Sequence, residues 1–261
     1  MTRAATHGVV MTARNLMHVV RDPGEAIIGF GLPVMFVLVF GYVFGSGMAV
    51  GGDGNYREYL LPGVFVMTML YGIGATATGM AYDLNRGVVD RFRSMPVARS
   101  ALVAGRSAAD LIRALLEVAV LVVCGVLVGW GWHRGIGNAL LALTLIVLLR
   151  FALTWMGVFL GLSVPNPDVV AVIVFPLAFP LTAISNVFVP PEAMPGWLGT
   201  LAEWNPLSAT VSASRQLFGN PAMVGDSWLA QHAVPMAVVW PVVLTLIFAP
   251  LAVRRYAQLS R

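Results

Sequence analysis

Six apolar stretches, separated by shorter polar segments, dominate the hydrophobic pattern of the chain. A helix needs about 20 mostly apolar residues to cross the hydrocarbon core of a bilayer, which is about 30 Å thick. The stretches that meet this requirement are residues 26–44, 59–82, 107–130, 138–162, 168–189 and 232–253. The pattern predicts an all-α integral membrane protein with six transmembrane helices in one domain over residues 1–261.

Two segments outside these spans are predicted to form short helices near the membrane surface. Residues 7–21 place their apolar side chains on one face, as in a helix that lies in the membrane interface. Residues 190–231 contain Trp197 and, at Asn205-Pro206, an interruption of the helical pattern. The helices on either side of this break are too short to cross a bilayer, and tryptophan favours its interfaces. We interpret them as re-entrant or interfacial helices on the outer face; an ordinary amphipathic outer loop fits the pattern equally well.

A basic loop over residues 84–100 is the longest polar interruption near the middle of the chain. Val88, Val89, Phe92 and Met95 recur there at helical spacing, and Pro96 ends the turn because it lacks an N–H group. An apolar stripe on a basic helix favours docking on a cytoplasmic partner. The alternative is a solvated loop whose arginines only set the membrane topology.

Composition and charge support a membrane protein. The chain is 58% hydrophobic and 11% charged, whereas soluble domains carry about 25% charged residues. All 16 basic residues are arginine, and twelve of them lie on the side that would hold both termini and the basic loop. Because positive residues concentrate on the cytoplasmic side, we expect both termini to be cytoplasmic. This distribution explains the net charge of +4 without nucleic-acid binding.

The chain contains no recognisable set of catalytic or metal-ligating residues. Cys124 is the single cysteine, and the four histidines show no ligand spacing. A phosphate-binding P-loop requires a lysine, and the chain has none. If ATP drives the protein, another polypeptide must bind it. We therefore expect no cofactor in this chain, and a membrane-embedded enzyme is the least favoured class.

Two charged residues lie deep within predicted spans. Arg150 is in the middle of the fourth span, where an arginine costs at least about 2.5–3.5 kcal/mol on insertion scales. Glu117 lies at a similar depth in the third span. We predict that Glu117 and Arg150 pair or share a polar network, either as part of a translocation path or as a structural pair that fixes helix register.

Prolines interrupt several spans. Pro176 and Pro180 lie four residues apart near the middle of the fifth span, where each removes a backbone hydrogen bond. They mark a place where a moving helix could bend. Tolerated kinks in a packed bundle are the alternative interpretation.

Three groups of residues resemble the type-2 ABC exporter permeases, including the daunorubicin-resistance-like drug-efflux permeases. The second span opens with Tyr59-Leu60-Leu61-Pro62-Gly63, and the basic loop contains Asp90-Arg91-Phe92-Arg93-Ser94-Met95-Pro96 followed by Ala104-Gly105-Arg106. The outer segment contains Phe188-Val189-Pro190, Met194-Pro195-Gly196-Trp197-Leu198, and Asn205-Pro206 with Arg215. Together with the number of spans, the resemblance covers nearly the whole chain.

The resemblance implies a permease that assembles with a second copy of itself or with a sister permease, and with two ATPase subunits that hold ATP and magnesium. It implies that the N-terminal helix and the basic loop dock on those ATPase subunits. In the loop, the coupling residues would be Asp90, Arg91, Phe92, Met95 and Pro96. It also implies that the first, second and fifth spans line the path. Asp90 departs from the family pattern, in which many members carry glutamate.

The expected function is therefore the permease subunit of an ATP-driven exporter in a bacterial cell membrane. Its substrate would be a small amphiphilic drug- or lipid-like molecule. The alternative is an ion-coupled secondary transporter that uses Glu117 and Arg150. Such transporters often contain internal repeats, and the two halves of this chain show no convincing one.

Overall fold

The structure is a computed structural model, and it describes residues 31, 33–44, 49–50, 54–85, 99–222 and 227–259. Most of these residues are helical. The helices are α1 (Pro33–Tyr42), α2 (Tyr56–Asn85), α3 (Arg99–Leu127), α4 (Gly135–Gly161), α5 (Pro167–Ala183), α6 (Gly196–Glu203), α7 (Pro206–Phe218), α8 (Trp228–Gln231) and α9 (Ala233–Leu259). The end of α1 widens into a π-helix over Phe40–Phe44. Two short antiparallel strands, β1 (Ala49–Val50) and β2 (Gly54–Asn55), precede α2, and a 3₁₀ turn, Pro191–Ala193, precedes α6.

Three of the helices, α2, α4 and α9, are long and apolar enough to cross a membrane. They contain 30, 27 and 27 residues, so each is at least about 40 Å long at 1.5 Å per residue. Helix α3 is also long but carries five charged residues, and α5 has only 17 residues. The largely helical architecture is thus confirmed, with three helices able to cross a membrane, whereas the count of six spans and the side of the termini stay predictions.

The bundle is organised around α2 and α4. Helix α2 has the most buried surface of the three spans, and α4 packs between α2 and α9. Two glycines of α4 allow its close approach to α2. A Cβ at Gly157 would lie 3.0 Å from Thr76 Cβ, and one at Gly161 would lie 2.8 Å from Met80 Cβ. Large apolar side chains of α3, α5 and α9 face outward, as expected where the surroundings are lipid or another subunit.

Local sequence explains where several helices begin and end. Asn166 accepts a hydrogen bond from Val169 N at the start of α5, and the next residue, a proline, lacks the donor that a first turn leaves unpaired. Asn205 and Pro206 start α7 in the same way. Gly219 ends α7 in a left-handed conformation with φ of 75°, which glycine adopts without steric cost.

The structure corrects the ends of three predicted spans. The helix of the third starts at Arg99 rather than at residue 107. The fifth stops at Ala183 rather than at residue 189, because Ile184 forms a turn and the freed carbonyls find side-chain donors from α7 and its N-cap. The sixth continues to Leu259, whereas the sequence predicted a tail after residue 253. Its last turns pack on α4, where Tyr256 is buried and Arg255 Nε donates to Leu162 O at 3.4 Å.

Candidate functional site

A mostly apolar cavity lies between α1, α2, α3 and α5. Its volume is about 150 Å³. The residues on its walls include Phe36 of α1, Tyr71 and Gly72 of α2, Arg113 and Glu117 of α3, and Phe175 of α5. The rings of Phe36 and Tyr71 are 6.5 Å apart between centroids, and those of Tyr71 and Phe175 are 6.1 Å apart. The cavity can therefore surround a flat apolar group with aromatic faces.

One ion pair supplies charge to this apolar wall. Arg113 Nε donates to Glu117 Oε1 at 3.1 Å, between side chains four residues apart on α3. Both side chains are largely buried, so water screens the pair less than it would at a surface. A ligand in the cavity would meet an orienting dipole rather than a single unpaired charge.

Arg150 of α4 lies directly behind the cavity wall. It is 1% exposed, and its guanidinium donates from Nη1 to Met69 O and from Nη2 to Thr76 Oγ1, both at 3.2 Å. Gly72 of α2 leaves the space that the guanidinium fills, because a Cβ at that position would collide with Nη1. The contacts of Arg150 thus fix the register of α4 against α2.

The structure gives Glu117 and Arg150 different polar partners. Glu117 binds Arg113, whereas Arg150 binds a backbone carbonyl and a threonine. Both lie near Gly72, which lines the cavity with Glu117 and touches the Arg150 guanidinium, and their pairing or shared polar network stays a prediction.

A second buried arginine lies at the other end of α2. Arg215 of α7 is 2% exposed and donates from Nε to Tyr59 O at 2.7 Å, from Nη1 to Asn186 O at 2.9 Å and from Nη2 to Val187 O at 3.1 Å. Its guanidinium carbon is 3.6 Å from the centroid of the Tyr59 ring. Burial lowers the pKa of Arg215 to about 10, an effect that Tyr59 partly opposes, so the side chain stays charged at neutral pH.

The packing role of Arg215 did not follow from the sequence, where this residue appeared only in the outer segment that carries the family resemblance. The available signal was helical spacing, since Arg215 follows Val211 by four residues and precedes Phe218 by three. Both of these neighbours are buried, so the arginine lies on the packed face of α7.

Asn205 joins the start of α7 to the end of α5. Its amide Nδ2 donates to Leu181 O at 2.8 Å and to Ile184 O at 2.9 Å, while Oδ1 accepts from Leu207 N at 2.9 Å. Pro206 occupies the first turn of α7. Trp197 of α6 lies elsewhere and is 70% exposed. The predicted outer residues thus divide into a capping pair and a surface tryptophan.

Comparison with known proteins assigns the family. A family model described as ABC-2 type transporter matches residues 6–218. The chain belongs to the ABC-2 type transporter family. It is 32% identical over 225 residues to a daunorubicin resistance ABC transporter permease from Streptomyces coeruleorubidus, a match that covers 86% of this chain and 77% of the relative. A doxorubicin resistance ABC transporter permease from Mycobacterium tuberculosis is 27% identical over 241 residues, which are 87% of this chain and 78% of that relative.

The remaining predicted site residues of this ABC-2 permease are placed as follows. Pro176 and Pro180 lie inside α5, one and five residues after the cavity residue Phe175. The interfacial helix over residues 7–21 and the coupling residues of the basic loop lie outside the described residues. The latter are Asp90, Arg91, Phe92, Met95 and Pro96.

Proposed function

We propose that this chain is the permease subunit of an ATP-driven exporter of amphiphilic drug- or lipid-like molecules in a bacterial cell membrane. Two identical permeases would assemble with two ATPase subunits. The observation that carries the proposal is the cavity of about 150 Å³ between α1, α2, α3 and α5, with aromatic walls and one buried ion pair. The resistance permeases named above, whose names refer to daunorubicin and doxorubicin, support the same substrate class.

The size of the cavity limits what it can hold in this conformation. An apolar cavity of about 150 Å³ accommodates a benzene-sized group. The cavity would therefore hold one ring or one chain segment of a larger amphiphile, while the remainder lies in lipid or between subunits. The Arg113–Glu117 pair would orient a polar group at its wall.

ATP hydrolysis must be supplied by the partner subunits, since a chain without lysine cannot form the usual phosphate-binding loop. We assign coupling to Asp90, Arg91, Phe92, Met95 and Pro96 by the resemblance described above. To test this assignment, the tagged chain is isolated from its native membrane in mild detergent, and co-purifying ATPase is measured. Phe92→Asp should lose the ATPase, because a charge disrupts the apolar stripe. Ser94→Asp adds the same charge two residues away, and it should retain the ATPase.

Transport is tested with the complex in inside-out vesicles. Uptake of doxorubicin and of a fluorescent phospholipid analogue is measured with ATP, and again after an ionophore has collapsed the proton gradient. The proposal requires uptake that depends on ATP and survives the ionophore. Uptake that the ionophore abolishes while ATP is intact would instead indicate the ion-coupled transporter with Glu117 and Arg150. The hydrogen bonds of Arg150 to Met69 O and Thr76 support a structural role for that residue.

A further inference from the structure

Two aromatic side chains meet on the outer side of the cavity. Phe36, on the cavity wall, stacks on Phe40 one turn further along α1, with ring centroids 5.8 Å apart. Phe40 in turn contacts Phe188, which follows the end of α5, with centroids 5.2 Å apart. On the predicted topology, in which the N-terminus is inside, α1 runs outward, so the Phe40–Phe188 contact lies between the cavity and the outer face.

Arg57 of α2 holds the chain beside Phe40. Its Nε donates to Gly41 O at 2.7 Å and its Nη1 donates to Val128 O at 3.2 Å, at the end of α3. Gly41 lies in the π-helical part of α1 and directly follows Phe40 in the chain. Arg57 therefore fixes the direction in which this turn presents the Phe40 ring.

Arg215 holds the chain beside Phe188. It donates to the carbonyls of Asn186 and Val187, the two residues that precede the ring. The same segment lies against α2, since a Cβ at Gly63 would be 2.9 Å from Val187 O. Asn186 is also bound to Ser208 and Ser212 of α7. The position of Phe188 is thus set by α2 and α7 together.

We propose that Phe40 and Phe188 close the exit of the cavity toward the outer face, and that Arg57 and Arg215 are positioning residues for the two rings. The proposal rests on the proposed function in one respect, that the cavity belongs to the transport route. Release of substrate would require α1 and the segment after α5 to separate. Each arginine acts through the phenylalanine beside the carbonyl that it binds.

The first experiment cross-links positions 40 and 188, so that the proposed closure cannot open. Phe40→Cys and Phe188→Cys are combined in a Cys124→Ala background and joined by a short, reducible thiol cross-linker in the complete complex. Cross-linking should abolish ATP-driven doxorubicin uptake into inside-out vesicles, and reduction of the linker should restore it. Unchanged uptake by fully cross-linked protein overturns the proposal, and so does failure of the pair to cross-link.

A second measurement separates failure of the closure from failure of the proposed function. If the complex shows no ATP-driven uptake even without cross-linking, the proposed function is wrong. The closure by Phe40 and Phe188 is then tested by the rate at which a fluorescent dye trapped in the vesicles leaks out. Phe40→Ala and Phe188→Ala should then leak faster than the unaltered chain. Phe179→Ala, which removes an exposed ring of α5, should not. Equal leak in all four proteins overturns the closure.

The positioning role is tested by combining substitutions. Arg57→Ala should raise the leak as Phe40→Ala does, and Arg57→Lys, which retains a donor, should restore much of the seal. Adding Arg57→Ala to Phe40→Ala should cause no further leak, because the arginine acts through that ring. Additive effects in correctly folded protein, checked by size-exclusion chromatography, would overturn the positioning role of Arg57.

Discussion

The contact between Gly72 and Arg150 makes the substitution Gly72→Ala the sharpest test of the packing. At this position a Cβ would collide with Nη1 of the Arg150 guanidinium. The guanidinium cannot move aside freely, because Nη1 donates to Met69 O and Nη2 donates to Thr76 Oγ1. The added methyl group must therefore displace either the α2 backbone or a buried, hydrogen-bonded cation.

The expected cost follows from three contributions. Overpacking a filled interior costs about 1–3 kcal/mol. Losing one hydrogen bond of the buried cation costs about 1.5–3 kcal/mol. Alanine is better than glycine in a helix and returns about 0.5–1 kcal/mol. Gly72→Ala should therefore lower the free energy of unfolding by about 2–5 kcal/mol.

Gly74→Ala is the matched control on the same helix. There a Cβ would meet only Val174 Cγ1 at 3.6 Å, which is an ordinary van der Waals contact. Without a clash, the helical preference for alanine should stabilise the protein by about 0.5–1 kcal/mol. The two alanine variants should therefore shift the thermal unfolding midpoint, followed by tryptophan fluorescence in one detergent, in opposite directions.

A double-mutant cycle attributes the effect of Gly72→Ala to the guanidinium. Arg150→Met removes the group that the new Cβ would meet. The variant with both changes should be more stable than the sum of the two single effects predicts, because the clash no longer exists. Additive effects, or equal behaviour of Gly72→Ala and Gly74→Ala, would refute the contact.

Three further substitutions test the region around α7 by the same unfolding measurement. Arg215→Met withdraws a charged donor from three buried carbonyls and should cost at least about 4 kcal/mol at about 1.5–3 kcal/mol per hydrogen bond, whereas Arg215→Lys should lose less. Equal losses would contradict the hydrogen-bonding role. Asn205→Ser keeps an N-cap oxygen, so it should be about 1 kcal/mol less destabilising than Asn205→Ala; no difference between them would argue against the cap. Gly219→Ala forces a side chain into φ of 75° and should cost about 1–2 kcal/mol, while Gly196→Ala, with open space around it, should be nearly neutral.

The sequence predicted the positions of α2, α4 and α9 well, because uninterrupted apolar length is a local property. It predicted the ends of the fifth and sixth spans wrongly. The fifth ends where Asn205, more than 20 residues further along, offers donors to its last carbonyls. The sixth continues because Tyr256 finds a buried place beside α4. Neither contact leaves a periodic signal in the segment that it affects.

The partners of the buried arginines were also beyond sequence reasoning. The position of Arg150 in the sequence predicted its intramembrane burial, and an acidic side chain was its expected partner. The structure instead provides Met69 O and Thr76 Oγ1. A backbone carbonyl is present at every residue, so nothing in the sequence marks Met69 as an acceptor. The meeting of Phe40 and Phe188 depends on the fold in the same way, since nearly the whole bundle separates them along the chain.

The short α5 helix has a consequence for how the protein fits its bilayer. At 17 residues it spans about 25 Å, less than the hydrocarbon thickness of about 30 Å. Its last carbonyls would face lipid without hydrogen-bond donors, yet Asn205 and Arg215 bind the carbonyls at and just beyond its end. These two side chains supply the hydrogen-bond donors that interfacial water supplies at the ends of longer spans. The usable length of the fifth span is therefore set by the protein itself, and a thicker membrane does not leave that end unsolvated.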